Sequence, residues 1–307
     1  MISVFTITGN LLAETTATFN FPKESQTVRA IGKEFFQVGG KGVNVAKAYF
    51  KLSKQKPYAI IFPAGFTGKR CLHWLNEKNF CLPIAIELEG ETRLGLVCEN
   101  QKNKIQTTFL GSDIPISTKA FNNAIKQISK LAKKGDIIAF CGSFPNWKRN
   151  YASKISKLAK EKELLLCVDT YNQPLSDLSK QDLFLLKINK KEFLTTFAQK
   201  KLNKNTLANV VNKTKVKNLI VSNSSGTIYA SFDGEIVSFN APKIKNEISA
   251  TGCGDAMFAS LIYELQKKST FDNALKISIA RASASAENSA TSEWSELRAK
   301  KLLKKIS

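Results

Sequence analysis

An α/β fold, built on a mostly parallel sheet with helices on both faces and a small β-sheet lid, is predicted by three observations. Apolar, β-rich runs alternate with amphipathic stretches through most of the 307 residues. Continuous apolar strands separated by helices belong to a parallel sheet covered on both faces. Two pairs of runs instead alternate polar and apolar residues, as one-sided antiparallel strands do. Finally, two glycine-rich stretches each stand just before a helical pattern, the junction at which open α/β sheets place their ligands.

Taken along the chain, Ile2–Thr8 reads as an opening strand. Glu14–Phe19 and Thr27–Val38 alternate and form the first lid pair. The first glycine-rich stretch, Gly39-Gly40-Lys41-Gly42-Val43-Asn44-Val45-Ala46, leads into an amphipathic helix over Asn44–Lys54. Tyr58–Pro63 is an apolar strand, and Cys71–Asn79 is helical, with His73 beside Trp74 read as a structural residue. Thr92–Asn100 and Lys104–Leu110 alternate again and supply the second lid pair. Helices over Thr118–Lys133, Trp147–Lys160 and Thr206–Lys215 then interleave with strands over Asp136–Cys141, Leu164–Asp169, Leu183–Ile188 and Leu219–Ser222. The second glycine-rich stretch, Ala250-Thr251-Gly252-Cys253-Gly254-Asp255-Ala256, opens the apolar helix Ala256–Leu265. Ser292–Ser307 reads as a basic, solvated surface helix. The lid strands thus come from about 14–38 and 92–110.

Composition narrows the function classes. The net charge is +21, and only six of the 46 basic residues are Arg. The lysines are spread along the chain with no basic stripe interleaved with aromatics, which excludes specific nucleic-acid recognition from this reading and leaves a general attraction for anionic substrates. Six cysteines form no C-x-x-C pair, and one histidine stands alone. That argues against structural zinc and for a reducing, cytoplasmic compartment. No apolar run reaches membrane-spanning length, and the N-terminus carries no basic region or cleavage site.

Each glycine-rich stretch places bare backbone N–H groups and a helix N-terminus at one spot, which favours anions. Lys41 adds a point charge for phosphate, although it also reads as a solvated first-turn lysine and Asn44 as a helix-surface residue. Asp255 reads either as a base or as a favourable first-turn acid. The small residues Gly252, Cys253 and Gly254 leave N–H groups free around a transferred phosphoryl group. Neither stretch has dinucleotide or Walker A spacing. The joint reading is one site for a phosphorylated substrate and one for phosphoryl transfer.

These motifs resemble the ribokinase-like (PfkB-type) carbohydrate kinases over nearly the whole chain. Weaker matches lie between them at Cys141-Gly142-Ser143-Phe144-Pro145, Lys187-Ile188-Asn189-Lys190-Lys191-Glu192 and Val221–Gly226. The resemblance implies a Rossmann-like kinase domain over 1–307, ATP as donor and Mg²⁺ as companion. It implies Asp255 as general base and Gly252–Gly254 as anion hole. Asn189 and Glu192 would organise Mg²⁺ through water, although the same pair also reads as a helix-capping box. Lys187 would face the nucleotide phosphates, with Ser222, Ser224 and Gly226 on the purine side, and Thr251 would also bind the nucleotide. The N-V-A continuation and Glu91-Thr92-Arg93 on the lid strand resemble the 1-phosphofructokinase and tagatose-6-phosphate kinase branch. There Lys41 and Arg93 would grip the acceptor's phosphate, with Gly39, Gly40 and Asn44 beside them. Arg93 also reads as an edge-strand charge.

Three departures stand out from that pattern. The usual sugar-binding Asp is Glu14, the usual nucleotide-loop Gly is Ser224, and the D-x-S-G turn is Asp169-Thr170-Tyr171-Asn172. Cys253 replaces the usual Ala, and its helix N-terminal place predicts a lowered thiol pKa and ATP-protected inactivation by thiol reagents. The competing functions are a kinase of an unphosphorylated sugar or nucleoside, and a non-catalytic sugar-phosphate or nucleotide binder. The expected assembly is a monomer or a homodimer paired through the lid.

Overall fold

The computed structural model describes residues 2–20, 25–103, 105–224 and 226–307. The interval between the first two lid strands falls partly on 21–24, and Lys104 and Ser225 sit in predicted segments; all of these lie outside the described residues. In chain order the elements are β1 (Val4–Thr8), β2 (Leu12–Phe19), β3 (Ile31–Gly39), α1 (Lys41–Ser53), β4 (Tyr58–Ile61), α2 (Gly65–Lys78), β5 (Leu82–Ala85), β6 (Leu94–Asn100) and β7 (Gln106–Leu110). There follow α3 (Thr118–Leu131), β8 (Ile137–Cys141), α4 (Arg149–Glu161), β9 (Leu165–Asp169), α5 (Asn172–Leu178), β10 (Leu185–Asn189), α6 (Lys190–Thr196), α7 (Lys204–Val211) and β11 (Asn218–Ser222). The chain closes with β12 (Thr227–Phe232), β13 (Glu235–Asn240), α8 (Cys253–Gln266), α9 (Phe271–Ser285) and α10 (Glu296–Leu303).

The large sheet has nine strands in the order β13-β12-β11-β10-β9-β8-β1-β4-β5. Strands β5 through β11 in that row are parallel, and β12 and β13 are antiparallel at one edge. Alternation along β1 divides the core between the two faces, since successive strand side chains point oppositely. Phe5 and Ile7 pack with Phe140 and Val168 against Phe121, Tyr151 and Ile155 of α3 and α4. Val4 faces the other way and packs with Ile137, Cys167 and Ile220 against Val45, Phe258 and Ile279 of α1, α8 and α9. Each such fully buried Leu, Ile or Phe contributes about 1.5–3 kcal/mol over its exposed state. Among the described residues, no helix is long and apolar enough to cross a membrane.

The small sheet runs β3-β2-β6-β7. β2 pairs antiparallel with β3 and parallel with β6, which in turn pairs antiparallel with β7. Its inner residues Ala13 and Val38 join Val43, Ile61, Cys71 and Leu75 in a core that fastens the sheet to α1 and α2.

Three expectations are corrected and one element is added. The edge hairpin β12–β13 is absent from the sequence reading, although its turn, Asp233-Gly234, has φ of 48° and 90°, the conformation that Asp-Gly favours between paired strands. Thr92 and Arg93 precede β6 rather than lying in it; Thr92 Oγ1 accepts from the Ala64 amide at 2.8 Å, and Glu91 accepts from the Phe66 and Thr67 amides at the start of α2. His73 is an exposed surface residue facing Glu77, because its side of α2 points to solvent. The C-terminal segment is not a merely solvated helix. Trp294, Ala299 and Leu302 are buried against the α8–α9 side of the core.

Candidate active site

A cleft of about 600 Å³ opens where β1, β8, β9 and β10 end, between the large sheet and the small one. At one end it is lined by Asn10, Glu14, Gly39, Gly40, Lys41, Asn44 and Arg93. At the other, Ser222 and Ser224 stand with Ile228, Pro242, Ile244, Ile279 and Ala282. Thr251, Gly252, Cys253, Gly254, Asp255, Lys187 and Asn189 lie along it. Residues distant in sequence therefore share one concave site, while Glu192 and Gly226 stand outside its walls.

The start of α8 is shaped by its glycines. Gly252 takes φ 79° at the N-cap, and a Cβ there would come within 2.6 Å of Thr291 Cγ2 and 2.7 Å of the Ser292 amide. Ser292 in turn donates from Oγ to the Gly252 carbonyl at 3.1 Å. A Cβ on Gly254 would meet Lys187 Nζ at 2.6 Å, so the missing side chain is what lets that ammonium approach the helix N-terminus. Asp255, in the first turn of α8 and only 4% exposed, accepts from Asn44 Nδ2 at 2.8 Å. Burial pushes its carboxyl up to about 6; Lys41 opposes this and the charge on Asp169 adds to it.

Beneath Asp255 lies a residue that sequence reasoning did not name as functional. Asp169 ends β9, is fully buried, and accepts from Lys41 Nζ at 2.7 Å and Lys187 Nζ at 3.0 Å. Burial works against its ionisation, but the two lysines prevail and hold it below the usual carboxylate range. Lys41 is likewise held well above the usual lysine range; burial lowers it, and Asp169, Asp255 and Glu192 more than compensate. The available signal was an acid closing the apolar run Leu165–Asp169 at the functional end of a parallel strand. Lys41 and Arg93, expected as two parts of one phosphate clamp, each sit on a separate carboxylate. Arg93 Nη1 donates to Asp113 Oδ1 at 2.9 Å.

The remaining predicted residues are placed as follows. Asn189 and Glu192 form a capping box at the start of α6, with the Glu192 amide on Asn189 Oδ1 at 2.9 Å and the Asn189 amide on Glu192 Oε2 at 2.8 Å. Asn189 is exposed at this point and Glu192 half-buried, and the capping bond uses only one of the Glu192 carboxylate oxygens. Among the described residues no cluster of three or more His, Cys, Asp or Glu could hold a metal. The donor set therefore suits only a hard ion that keeps much of its water, as Mg²⁺ does. Ser224 occupies its glycine-like position at φ 41°, and the Gly226 amide closes the same turn onto the Asn223 carbonyl at 2.6 Å. Ser222 Oγ turns back to the Ile188 carbonyl. Thr251 is held by a hydrogen bond from its amide to Ser249 Oγ at 3.2 Å. Glu14 accepts from Gln37 across the β2–β3 ladder, so one of its oxygens is already committed.

Cys253 reverses its expectation. Burial raises its thiol to about 11, with Glu247 and Asp255 adding to the rise and Ser285 and Lys187 opposing it. Its Sγ donates to the Ser249 carbonyl.

Residues 11–297 match the model of the pfkB family carbohydrate kinase. A 1-phosphofructokinase of Borreliella burgdorferi is 27% identical, covering 99% of this chain and 97% of that one. The ATP-dependent 6-phosphofructokinase isozyme 2 of Escherichia coli is 25% identical, covering 83% and 84%. Among solved structures, phosphofructokinase-2 of Escherichia coli with potassium superposes with a TM-score of 0.90 at 20% identity, covering 99% of both chains.

Proposed function

The chain belongs to the pfkB family of carbohydrate kinases, and on that premise we propose that it transfers the γ-phosphoryl group of ATP to a hydroxyl of a phosphorylated ketohexose, of the fructose 1-phosphate or tagatose 6-phosphate type. Phosphoryl transfer to an alcohol is the family's chemistry; the donor, acceptor and residue roles are the proposal. The observation that carries it is Asp255: a buried carboxylate with a pKa of about 6, beside the Gly252–Gly254 loop at a helix N-terminus.

Asp255 is ionised at neutral pH and able to take the acceptor's proton, with Asn44 fixing its orientation. Amides at the start of α8 and the Lys187 ammonium face the place where charge gathers on the moving phosphoryl group. Asp169 holds Lys187 and Lys41 there, balancing two cations with one buried anion. Mg²⁺, when bound, would neutralise donor phosphate charge, with Asn189 and Glu192 holding its waters. The apolar end of the cleft suits a purine base, with Ser222, Ser224 and Gly226 at its margin. At the other end, Arg93 and the names of the 1-phosphofructokinase relatives favour an acceptor that already carries phosphate. Six free thiols among the described residues suit a reducing, cytoplasmic setting.

The test is ADP release with Mg-ATP across fructose 1-phosphate, fructose 6-phosphate, tagatose 6-phosphate and their free sugars. Turnover on one phosphosugar alone is expected. Turnover on free sugars alone would discard the phosphate reading, and ligand-induced stabilisation without any turnover would favour a binding role. The small sheet also exposes Phe35, Leu94, Phe109 and Leu110, each more than half exposed. Such a patch fits pairing with a second copy, so a dimer by light scattering that Phe109→Asp dissociates is expected.

A further inference from the structure

At the acceptor end of the cleft, Arg93 belongs to a polar cluster whose other members, Asn10, Asp113 and Ser143, have no part in the chemistry above. Asp113, in the loop between β7 and α3, places Oδ1 between two donors, Asn10 Nδ2 at 2.8 Å and Arg93 Nη1 at 2.9 Å. Asn10 Nδ2 also donates to Ser143 Oγ at 3.1 Å. One carboxylate oxygen thus joins the segment after β1 to the approach to β6, and through Asn10 to the turn after β8. Asn10, Arg93 and Ser143 line the cleft, whereas Asp113 does not.

Arg93 is left incomplete by this arrangement. Its Nε is buried and has no hydrogen-bond partner among the described residues. A buried donor without an acceptor is unfavourable, and a guanidinium one more so. The guanidinium is also planar and rigid, so anchoring Nη1 from one side sets the direction of Nε and Nη2. The pair has little to offer stability, because the Asp113 side chain is 51% exposed and such ion pairs are weak. Its consequence is geometric.

We propose that Asp113 is a positioning residue for the acceptor: it fixes the Arg93 fork, together with Asn10, so that the guanidinium N–H groups facing the cleft meet the incoming acceptor's anionic oxygens. This rests on the phosphosugar reading above. The test is steady-state kinetics of the full chain and of D113A, D113N, R93A and the D113A/R93A double variant, on the same acceptors. D113A is expected to raise the acceptor KM about tenfold, far more than it alters kcat or the KM for ATP. D113N keeps an acceptor oxygen at the Oδ1 position and should recover most of that loss. In the R93A background, D113A should add little.

A lower acceptor KM in D113A would overturn the proposal, since it would mean that the carboxylate competes with the acceptor for Arg93. Full additivity of D113A and R93A would also overturn it. The two readings fail separately. Turnover of free sugars alone removes the phosphate from the acceptor, while non-additivity measured on that sugar's KM would still leave Asp113 acting through Arg93.

Discussion

Asp255 carries two consequences at the scale of a single residue. With its pKa pushed up to about 6, the ionised carboxylate is lost in mild acid, so in the proposed role of base kcat/KM should fall as pH drops below about 6. Asp255→Asn should cut turnover by about 10² or more and abolish that limb; a variant within a few-fold of wild type would end its assignment as base. Cys253, by contrast, is protected by its own burial. Its thiol stands at about 11 against an ordinary 9.0, which leaves about 100-fold less thiolate at neutral pH. Alkylation followed by mass spectrometry should therefore be slow at pH 7.5, and labelling as fast as that of a free thiol would contradict the geometry. Asp255 was legible in the sequence because its motif is local: glycines, acid and helix stand within five residues. Asp169 was not, since one of its lysines lies 18 residues away and the other 128.

At the scale of elements, the first turn of α8 depends on what its glycines exclude. Gly254→Ala would place a methyl 2.6 Å from Lys187 Nζ, and Lys187 is pinned by Asp169. The ammonium must then shift by a fraction of an ångström while the helix itself is undisturbed. Turnover is expected to fall by about 10²-fold with only a small change in thermal stability, because charge misplaced at this scale is costly to catalysis. A loss of folding in parallel with activity would show the glycine to be structural instead. The strands of the parallel sheet were readable because buried strands are continuous apolar runs. The β12–β13 hairpin was harder, since Ser231 is a buried polar residue and the exposed or half-exposed positions of both strands blur their alternation. The C-terminal segment misled for a related reason. Its many lysines advertise solvent, yet Trp294 and Leu302 anchor it, and Ser292 reaches the Gly252 carbonyl.

For the whole molecule, the two aspartates pull stability in opposite directions with pH. Asp169 has a lowered folded pKa, so its contribution is present above the unfolded carboxylate range and is lost as pH falls through the folded value. Protonation there leaves two lysines crowded around a neutral group, and acid unfolding is expected to begin with it. Asp255 has a raised folded pKa, so it costs stability as pH climbs from about 4 to about 6 and continues to do so above. That cost is at most about 3 kcal/mol. Asp255→Asn should consequently melt at a higher temperature than wild type at pH 7.5, with the difference closing near pH 4; equal melting temperatures at pH 7.5 would mean that the carboxylate is not held against its solvation. The amino-acid sequence by itself determined the α/β class, the small second sheet and the two glycine-rich helix entrances, because each is encoded by hydrophobic period or by backbone chemistry within a few residues. Only the tertiary structure decided that Lys41 and Lys187 share Asp169, that burial raises the Cys253 thiol, and that Asp113 stands behind Arg93. Charge states and partnerships are set by which groups the fold brings within a few ångströms and how much water it removes, and neither distance nor solvent exposure is written in local sequence.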